Sequence, residues 1–372
     1  MDSAQNLRNY PQVAPLRVGY FGTWERGYPR NEQVVSALRR GGAEVAELHA
    51  EVWSDEHKFA IGPRVLPRLV RAEISLATRK TREQDVLLVG YPGQFDLWAA
   101  RRHRLPVAFN AMVSLYEALV EDRRRFKPGS LPARALRTLD RRSFRAADLV
   151  FADTAANAAF MAELGSLERV EHVYVGAEDS LFSHTWTAPD AFSVLFVGKL
   201  IPLHGLRLIL DAAALLPEIP FTIVGTGQEQ HILGGAPPNV RHVAWIDYRE
   251  LPAAYATAGS ALGIFGPGPK TDRVIPNKVF QALATGTPVI TADTPAAREL
   301  LTDGEDALLV ERTPEALADA IRRLAESRTL AQELGRAGRA TYEREASEEI
   351  LGKRWIELLL PLSSAGRRGG RA

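Results

Sequence analysis

Short apolar runs alternate with longer segments of helical periodicity along almost the whole chain, and this alternation constrains the fold more than any other feature of the sequence. Such runs suit buried parallel strands, and the segments between them suit crossover helices. The predicted strands of the first half are residues 16–21, 44–48, 85–90, 106–110, 149–152 and 170–175. Those of the second half are residues 193–198, 221–225, 261–265, 288–292 and 307–310. Each half therefore predicts its own doubly wound α/β domain.

The chain of 372 residues has room for two such domains. Residues 176–192 show little apolar periodicity, so we place the linker there and predict domains over residues 1–175 and 176–344. A further helix is expected at about residues 345–361, where apolar residues recur, and we expect it to pack back on the first domain. The tail at residues 362–372 is rich in Gly and Arg and is predicted to be disordered.

Composition excludes several classes of function. The sequence contains no cysteine, so disulfides, thiolate nucleophiles and thiolate metal sites are impossible. The net charge is only +1, whereas a general nucleic-acid binder is usually basic overall. No stretch approaches the roughly 20 apolar residues of a membrane span, and no pair of histidines has the His-x3-His spacing. We expect a cytoplasmic protein that binds neither nucleic acid nor metal.

The most informative motif lies at residues 274–290, VIPNKVFQALATGTPVI. Pro276 suits the first turn of a helix, Asn277 can cap that turn with its amide oxygen, and Gly286 suits the helix end. The motif predicts a short helix whose N-terminus, with Lys278 beside it, faces the ligand edge of the second sheet. Free N–H groups, the helix dipole and one ammonium make an anion site suited to a diphosphate. A plain surface turn with a solvated lysine is the alternative.

Two other strands of the second half end in glycine-containing loops. The first runs into Gly198 and Lys199, and the second into Gly225 and Gly227. In an open α/β sheet, the loops at the carboxyl ends of the strands bind the ligand. Lys199 is therefore a second candidate cation for the same anion, and the Gly-x-Gly pair would let a ligand approach the backbone.

Three segments of the second half follow one another as FVGKLIPLHG, FTIVGTGQ and IPNKVFQALATGTPVITADTPAARELLTDGEDALLV. Together they resemble the donor-binding half of the family 4 (group 1) glycosyltransferases over roughly residues 193–325. The first half resembles the acceptor-binding domain of that family less sharply, through residues 18–31, VSLYEALVEDR at 113–123 and AADLVFADT at 146–154.

This resemblance implies an α/β protein of the GT-B fold, with two Rossmann-like, doubly wound domains facing a central cleft. It implies a retaining hexosyltransferase-type enzyme that needs no metal and no further cofactor. The sugar would come from a nucleoside diphosphate and pass to an unknown acceptor. The absence of an Asp-x-Asp motif agrees with metal independence.

By position, the resemblance makes Lys199 a donor-phosphate cation, and three other positions depart from the family. His204 stands where a second phosphate-binding lysine is usual. Arg273 and Gln281 stand where the family has the two glutamates of its Glu-x7-Glu motif, which contact the sugar and the ribose. Lys278 would take over part of the phosphate role, so Lys199 and Lys278 are the expected catalytic cations. The departures keep a second hypothesis open, a catalytically inactive GT-B binding or regulatory subunit.

Residues of the first half are expected to contact the sugar or acceptor from the other side of the cleft. The loop after the first strand mixes glycines with aromatic and charged side chains, and a further strand closes on an asparagine. The predicted cleft residues are Gly22, Thr23, Trp24, Arg30 and Asn110. A plain surface loop is the alternative.

A basic amphipathic stretch at residues 58–82 suggests contact with an anionic membrane surface. Arg64, Arg68 and Arg71 would form its charged face, with Val65 and Leu69 alongside. A solvated helix surface in an arginine-rich protein explains the same pattern. The sequence leaves both interpretations open.

Overall fold

The computed structural model of the protein describes residues 14–53 and 65–369, which contain two parallel six-stranded sheets. The first sheet comprises β1 (Arg17–Gly22), β2 (Glu44–His49), β3 (Val86–Val89), β4 (Val107–Asn110), β5 (Leu149–Ala152) and β6 (Glu171–His172). The second comprises β7 (Val194–Val197), β8 (Phe221–Val224), β9 (Val240–Val243), β10 (Ser260–Leu262), β11 (Val289–Ala292) and β12 (Leu308–Val310). The fold class predicted from the sequence is confirmed.

Helices cover both sheets. Those of the first half are α1 (Pro29–Arg40), α2 (Leu66–Ala77), α3 (Leu97–Arg101), α4 (Leu131–Ala146) and α5 (Ala155–Gly165). Those of the second half are α6 (Leu206–Ala214), α7 (Leu251–Thr257), α8 (Asn277–Thr285), α9 (Pro295–Leu300), α10 (Pro314–Glu326), α11 (Arg328–Glu345) and α12 (Glu348–Gly369). Hydroxyl side chains such as those of Thr154, Thr294 and Thr313 cap several of these N-termini.

The strand order gives each sheet one point where the direction of winding reverses. The first sheet has the order β2-β1-β3-β4-β5-β6, and the second has the order β12-β11-β10-β7-β8-β9. The reversals fall between β1 and β3 and between β7 and β10. Because loops diverge at such a point, they leave a crevice at the carboxyl ends of the strands. The loops after β7 and β10 therefore border one crevice in the second domain.

The sequence missed β9. This strand pairs with β8 at the edge of the sheet, and its exposed Arg241 and His242 lie between half-buried Val240 and Val243. An edge strand needs little apolar surface, so it lacks the continuous apolar run by which the other strands were predicted.

The last helix, α12, packs against α1 of the first domain. Its Trp355 is buried beside Phe151 of β5, with ring centroids 4.6 Å apart. The two helices cross at Gly41 and Gly352, whose backbones lie close together. The helix continues past Pro361 to Gly369, beyond the end near residue 361 that the sequence predicted. The remainder of the predicted disordered tail, residues 370–372, lies outside the described residues.

We predict that Gly352→Ala destabilises the protein. A Cβ at this position would overlap the Ala37 carbonyl oxygen, so α12 would have to move away from α1. Overpacking of this kind costs about 1–3 kcal/mol of unfolding free energy, measurable by urea titration. Gly234→Ala is the matched control, because its added Cβ meets nothing within 4 Å. Equal stability of the two variants would contradict the prediction.

Candidate active site

A cavity of about 370 Å³ lies between the two domains, at the carboxyl ends of both sheets. The second domain contributes the loop after β7 and the start of α8. The first domain contributes the start of α1, the π-helical turn Glu117–Asp122 and the residue after β5. Predicted site residues on the cavity wall are Gly198, Lys199, His204, Pro276, Asn277, Lys278 and Gln281.

The N-terminus of α8 opens onto this cavity, as the sequence predicted. Pro276 is the N-cap rather than the first helical residue, and no side chain caps the helix, so Asn277 does not act as the cap. Gly286 ends the helix with a φ of 84°. The first amides of α8 and its dipole therefore remain directed at the cavity.

Lys278 is the most unusual side chain of this wall. It is only 6% exposed, and its ammonium has no hydrogen-bond partner among the described residues. The Nζ atom lies 3.8 Å from the centroid of the Phe196 ring, a cation–π contact that offsets part of the lost hydration. Burial lowers the pKa of Lys278 well below its ordinary value. An anion in the cavity would supply the missing partner.

Gly198 brings the β7 loop against Lys278. Its φ is +154°, and a Cβ there would lie 2.8 Å from the Lys278 ammonium. A glycine is therefore needed for the close approach of loop and lysine. Lys199 follows directly and is exposed on the cavity wall. The two lysines predicted to bind one anion thus lie on the same wall.

His204 is buried beside these lysines in its neutral form. Burial and, next in order, the charge of Lys278 lower its pKa well below the ordinary value. Its Nδ1 donates to the Lys199 carbonyl oxygen, because a carbonyl can only accept. The sequence suggested that neutral His204 could donate to phosphate. In this tautomer the ring proton is on Nδ1 and is donated to the Lys199 carbonyl, so Nε2 can only accept a hydrogen bond.

Gly225 and Gly227 have a structural function that the sequence did not indicate. A Cβ at Gly225 would overlap the Gly198 carbonyl, and one at Gly227 would lie 2.5 Å from the Leu200 carbonyl oxygen. Neither residue lines the cavity. The two glycines let the loop after β8 pack against the loop after β7. They therefore affect a ligand indirectly, by setting the position of the loop after β7.

Gln281 lies one turn further into α8, on the cavity wall, and is 4% exposed. Its Oε1 accepts a hydrogen bond of 3.1 Å from Tyr255. This contact fixes the amide on the same face of α8 as Lys278. The predicted ribose contact stays a prediction.

Arg273 points across the cleft to the first domain. Its guanidinium pairs with the Glu117 carboxylate and lies 3.6 Å from that of Glu121. It also stacks on the Phe160 ring at 3.9 Å. The backbone oxygen of Arg273 accepts a hydrogen bond from Thr154. Arg273 thus connects the domains, and the chain has no carboxylate at this position, where the resemblance implies one.

Two further carboxylates cross between the domains. Glu299 of α9 accepts hydrogen bonds of 2.7 Å from the amides of Ala155 and Ala156, at the start of α5. Asp122 accepts from the Leu203 amide at 3.2 Å and lies 3.8 Å from the Lys270 ammonium. Together with Arg273 these contacts hold the domains closed over the cavity.

The predicted residues of the first domain lie beside the cavity rather than on its wall. Thr23 donates to Asp96, and Trp24 packs in the core against Tyr20 and His49. The backbone at Gly22 lies against the Asp96 carboxylate, where a Cβ would overlap it.

Arg30 and Asn110 form part of a buried network in the same domain. The Arg30 guanidinium donates to the carbonyls of Val173 and Tyr174 and to the Asn110 side chain. The contact with a substrate that the sequence predicted for these two residues stays a prediction.

Tyr28, Asp122 and Arg123 of the first domain do line the cavity. Sequence reasoning missed two further residues of this wall, Tyr91 and Asp153. Both follow a strand of the first sheet, a position at which the carboxyl-edge rule predicts ligand contact. In the described parts of the chain, no group of three or more His, Asp or Glu side chains could hold a metal ion.

Comparison with known proteins agrees with this geometry. A family model described as glycosyl transferase-like matches residues 204–351. The chain is similar to the lipopolysaccharide core biosynthesis glycosyltransferase LpsE of Rhizobium meliloti, with 26% identity over 180 residues that cover 46% of this chain and 51% of LpsE. The chain spans about half the length, or less, of the curated relatives that it matches.

Two solved structures resemble the whole chain. Sucrose-phosphate synthase from Thermosynechococcus elongatus has a TM-score of 0.72 and 17% identity, over 94% of this chain and 100% of the other. Anabaena HepE in complex with UDP-glucose has a TM-score of 0.67 and 16% identity, over 93% and 99%. The fold is GT-B, as predicted. Its second domain is the part that matches the glycosyl transferase-like model.

We predict that Arg273→Glu, which restores the family's acidic residue, destabilises the protein. It would place a carboxylate against the fully buried Glu117, and breaking a buried pair costs about 3–5 kcal/mol. Thermal and urea unfolding measure the loss. The charge swap Glu117→Arg with Arg273→Glu should recover most of it.

Arg298→Glu is the control, because it reverses an exposed pair with Asp293 and should stay close to the stability of the original protein. A swapped double variant no more stable than Arg273→Glu would show that the cross-domain pair does not hold the domains together.

Proposed function

We propose that the protein is a retaining, metal-independent glycosyltransferase of the hexosyltransferase type. It moves a sugar from a nucleoside diphosphate to an acceptor hydroxyl. The domain over residues 176–344 binds the donor, and the domain over residues 1–175 binds the acceptor. The observation that carries the proposal is the buried, unpartnered ammonium of Lys278 at the open N-terminus of α8. A dianionic diphosphate is the ligand that this arrangement fits.

The chemistry needs electrostatic stabilisation of the leaving group. As the bond between the sugar carbon and the phosphate oxygen breaks, negative charge grows on the departing diphosphate. Lys278, Lys199 and the first amides of α8 face that charge from one wall. Preorganised charges in a site that excludes water lower the barrier most, because they need no reorganisation during the reaction. Retention follows from the resemblance of residues 193–325 to the family.

The first test is a screen of nucleotide sugars. HepE has been solved with UDP-glucose, so UDP-sugars are the first probes, followed by GDP-, ADP- and dTDP-sugars. A rise in melting temperature identifies the donor, and release of the nucleoside diphosphate in the presence of EDTA identifies metal-independent turnover. No response to any donor would refute the proposal.

We predict that Lys278→Met lowers kcat/KM for the donor at least about a hundredfold, because one preorganised charge is lost. The lowered pKa of Lys278 adds a second signature. A bound diphosphate favours the charged form and raises the pKa of Lys278 again. Between the pKa values of the free and bound states, binding therefore takes up a proton, and affinity falls as pH rises. Titration calorimetry in two buffers of different ionisation enthalpy measures this uptake, which Lys278→Met should lack. Lys353→Met, at an exposed site on α12, should behave like the original protein.

A second candidate function is a catalytically inactive GT-B binding or regulatory subunit. The observation that favours it is Arg273, which occupies the family's sugar-contact position yet pairs with Glu117 of the other domain. The same screen separates the two candidates. Binding of a donor without release of diphosphate supports the inactive subunit, and slow release supports the enzyme.

We further propose that the protein works in the cytoplasm with peripheral contact to an anionic membrane, through one face of α2. Leu66, Val70 and Ile74 are each at least half exposed, and their four-residue spacing makes one apolar stripe. Arg68 and Arg71 are exposed on the same helix. This face differs from the predicted one, because Val65 and Leu69 are buried in the core. Arg64 lies outside the described residues.

No helix in the described ranges has the length and apolar character needed to cross a bilayer. The α2 face would therefore contact the lipid surface from one side. Each Lys or Arg near an anionic surface gains about 1 kcal/mol. We infer that Arg68 and Arg71 draw the protein to the surface and that the stripe inserts among the headgroups.

Vesicle co-sedimentation tests this contact. We predict at least about tenfold stronger binding to phosphatidylglycerol-containing vesicles than to pure phosphatidylcholine, with release at high salt. Val70→Asp with Ile74→Asp should abolish the difference. Leu215→Asp, at an exposed position after α6, should leave it unchanged. Equal binding to both vesicle types at low salt would contradict the membrane proposal.

A further inference from the structure

Asp153 is a buried carboxylate that the donor chemistry does not use. It follows β5 directly, so it stands at the carboxyl edge of the first sheet, and it is 4% exposed. Its side chain lines the cavity across from the wall that carries Lys199 and Lys278. The proposed donor site thus has cations on one wall and Asp153 on the other.

The start of α5 does not need Asp153 as a cap. Thr154 is the N-cap and accepts from the Asn157 amide at 3.0 Å. The two preceding amides, of Ala155 and Ala156, donate to Glu299. The free donors of this helix start are satisfied without Asp153, so helix capping does not account for the carboxylate.

Asp153 is held in a fixed orientation but is not neutralised by an ion pair. Its Oδ1 accepts a 2.6 Å hydrogen bond from Asn157, whose amide also donates to the Met112 carbonyl at 2.8 Å. Arg30 is near, yet its hydrogen bonds go to Val173, Tyr174 and Asn110. The charge of Arg30 lowers the pKa of Asp153 from nearby, and no hydrogen bond joins the Arg30 guanidinium to this carboxylate among the described residues. Burying a carboxylate costs free energy, and a ligand that donates a hydrogen bond to it offsets part of that cost.

The charge of Asp153 selects the kind of ligand. A carboxylate repels the diphosphate and accepts hydrogen bonds only, so its partner must carry donors and no negative charge. A hydroxyl group of the acceptor meets both conditions. We propose that Asp153 is the acceptor-binding carboxylate of this site, which holds an acceptor hydroxyl so that a neighbouring oxygen faces the sugar carbon. This inference rests on the proposed function.

The step balances with water as the simplest acceptor. One hydrogen of the water is held by Asp153 while its oxygen forms a bond to the sugar carbon. The bond from that carbon to the phosphate oxygen breaks, and the diphosphate departs with the electron pair. The second hydrogen of the water passes as a proton to the departing phosphate oxygen. Asp153 thus positions the acceptor without becoming a nucleophile.

Protonation of Asp153 should remove this contact. Burial raises the pKa of Asp153 to about 6, while Asn157 and Arg30 lower it and Glu117 raises it. Tyr28 and Arg123 share the cavity wall with Asp153. Burial raises the pKa of Tyr28 to about 12, so its hydroxyl stays protonated across this range. Below pH 6 the carboxyl becomes neutral and loses its preference for accepting, so turnover should fall on the acid side.

Asp153→Asn tests the role in acceptor-free hydrolysis of the donor that the screen identifies. Asparagine keeps the shape and the bond from Asn157 but turns a donor toward the cavity. We expect kcat to fall at least about tenfold, with KM for the donor, affinity for the nucleoside diphosphate and melting temperature unchanged. The decline of kcat below pH 6 should disappear. Asp148→Asn, at the other end of β5, is the control and should keep the original rates.

Each outcome decides the question. Unchanged kcat and an unchanged pH profile in Asp153→Asn would overturn the proposed role. A raised KM for the nucleotide sugar with kcat intact would also overturn it, because Asp153 would then contact the nucleotide sugar rather than the acceptor. If the unmodified protein turns over no donor at all, the proposed function fails together with this role. If only the role of Asp153 is wrong, the unmodified protein turns over the donor and the Asp153→Asn variant behaves like it. If the proposed function is wrong, the unmodified protein itself shows no turnover.

Discussion

The closed arrangement of the two domains depends on the pair that Arg273 makes with Glu117. The Glu117 carboxylate is fully buried, so it requires a positive partner, and Arg273 supplies it from the other domain. Burial raises the pKa of Glu117, and the charges of Lys270 and Arg273 oppose that rise. The interface thus contains a charge that neither domain can satisfy alone. Opening the cleft would expose or unpair both groups, so this pair sets the resting geometry of the cavity.

The cavity formed by that closure is electrostatically asymmetric. The second domain contributes Lys199 and Lys278, and the first domain contributes Asp122, Arg123 and Asp153. An anionic leaving group is attracted to the two lysines and repelled by the two carboxylates, while a neutral polyol can donate hydrogen bonds to the carboxylates. The two sheets produce this separation because each presents the carboxyl ends of its own strands to the cleft. Under the proposed function, this separation of charge would direct the donor diphosphate and the acceptor toward different domains.

Most of the fold could be predicted from the sequence. Buried parallel strands and crossover helices each show a local pattern of apolar residues, which can be recognised without knowing which distant residues they contact. The α8 site was predictable for the same reason, since Pro276, Lys278 and Gly286 lie within one local motif. The partner of Arg273 was not predictable, because Glu117 is 156 residues away in the chain. The packing role of Gly225 could not be predicted either, because it depends on how closely the backbone of the loop after β7 approaches it.

Two of the three departures from the pattern that the resemblance implies are accompanied by a nearby charge. At position 204 the resemblance leads one to expect a lysine, and the chain has a neutral histidine whose pKa is lowered by burial and partly by Lys278. Lys278 supplies a positive charge in the first turn of α8, where the helix dipole acts in the same direction. At position 273 a glutamate is exchanged for an arginine, and Glu117 supplies the opposite charge from the other domain. Reverting either position alone would place like charges together in a buried space. Under the proposed function, the positive charge that a diphosphate requires is therefore supplied by Lys199, Lys278 and the N-terminus of α8 together.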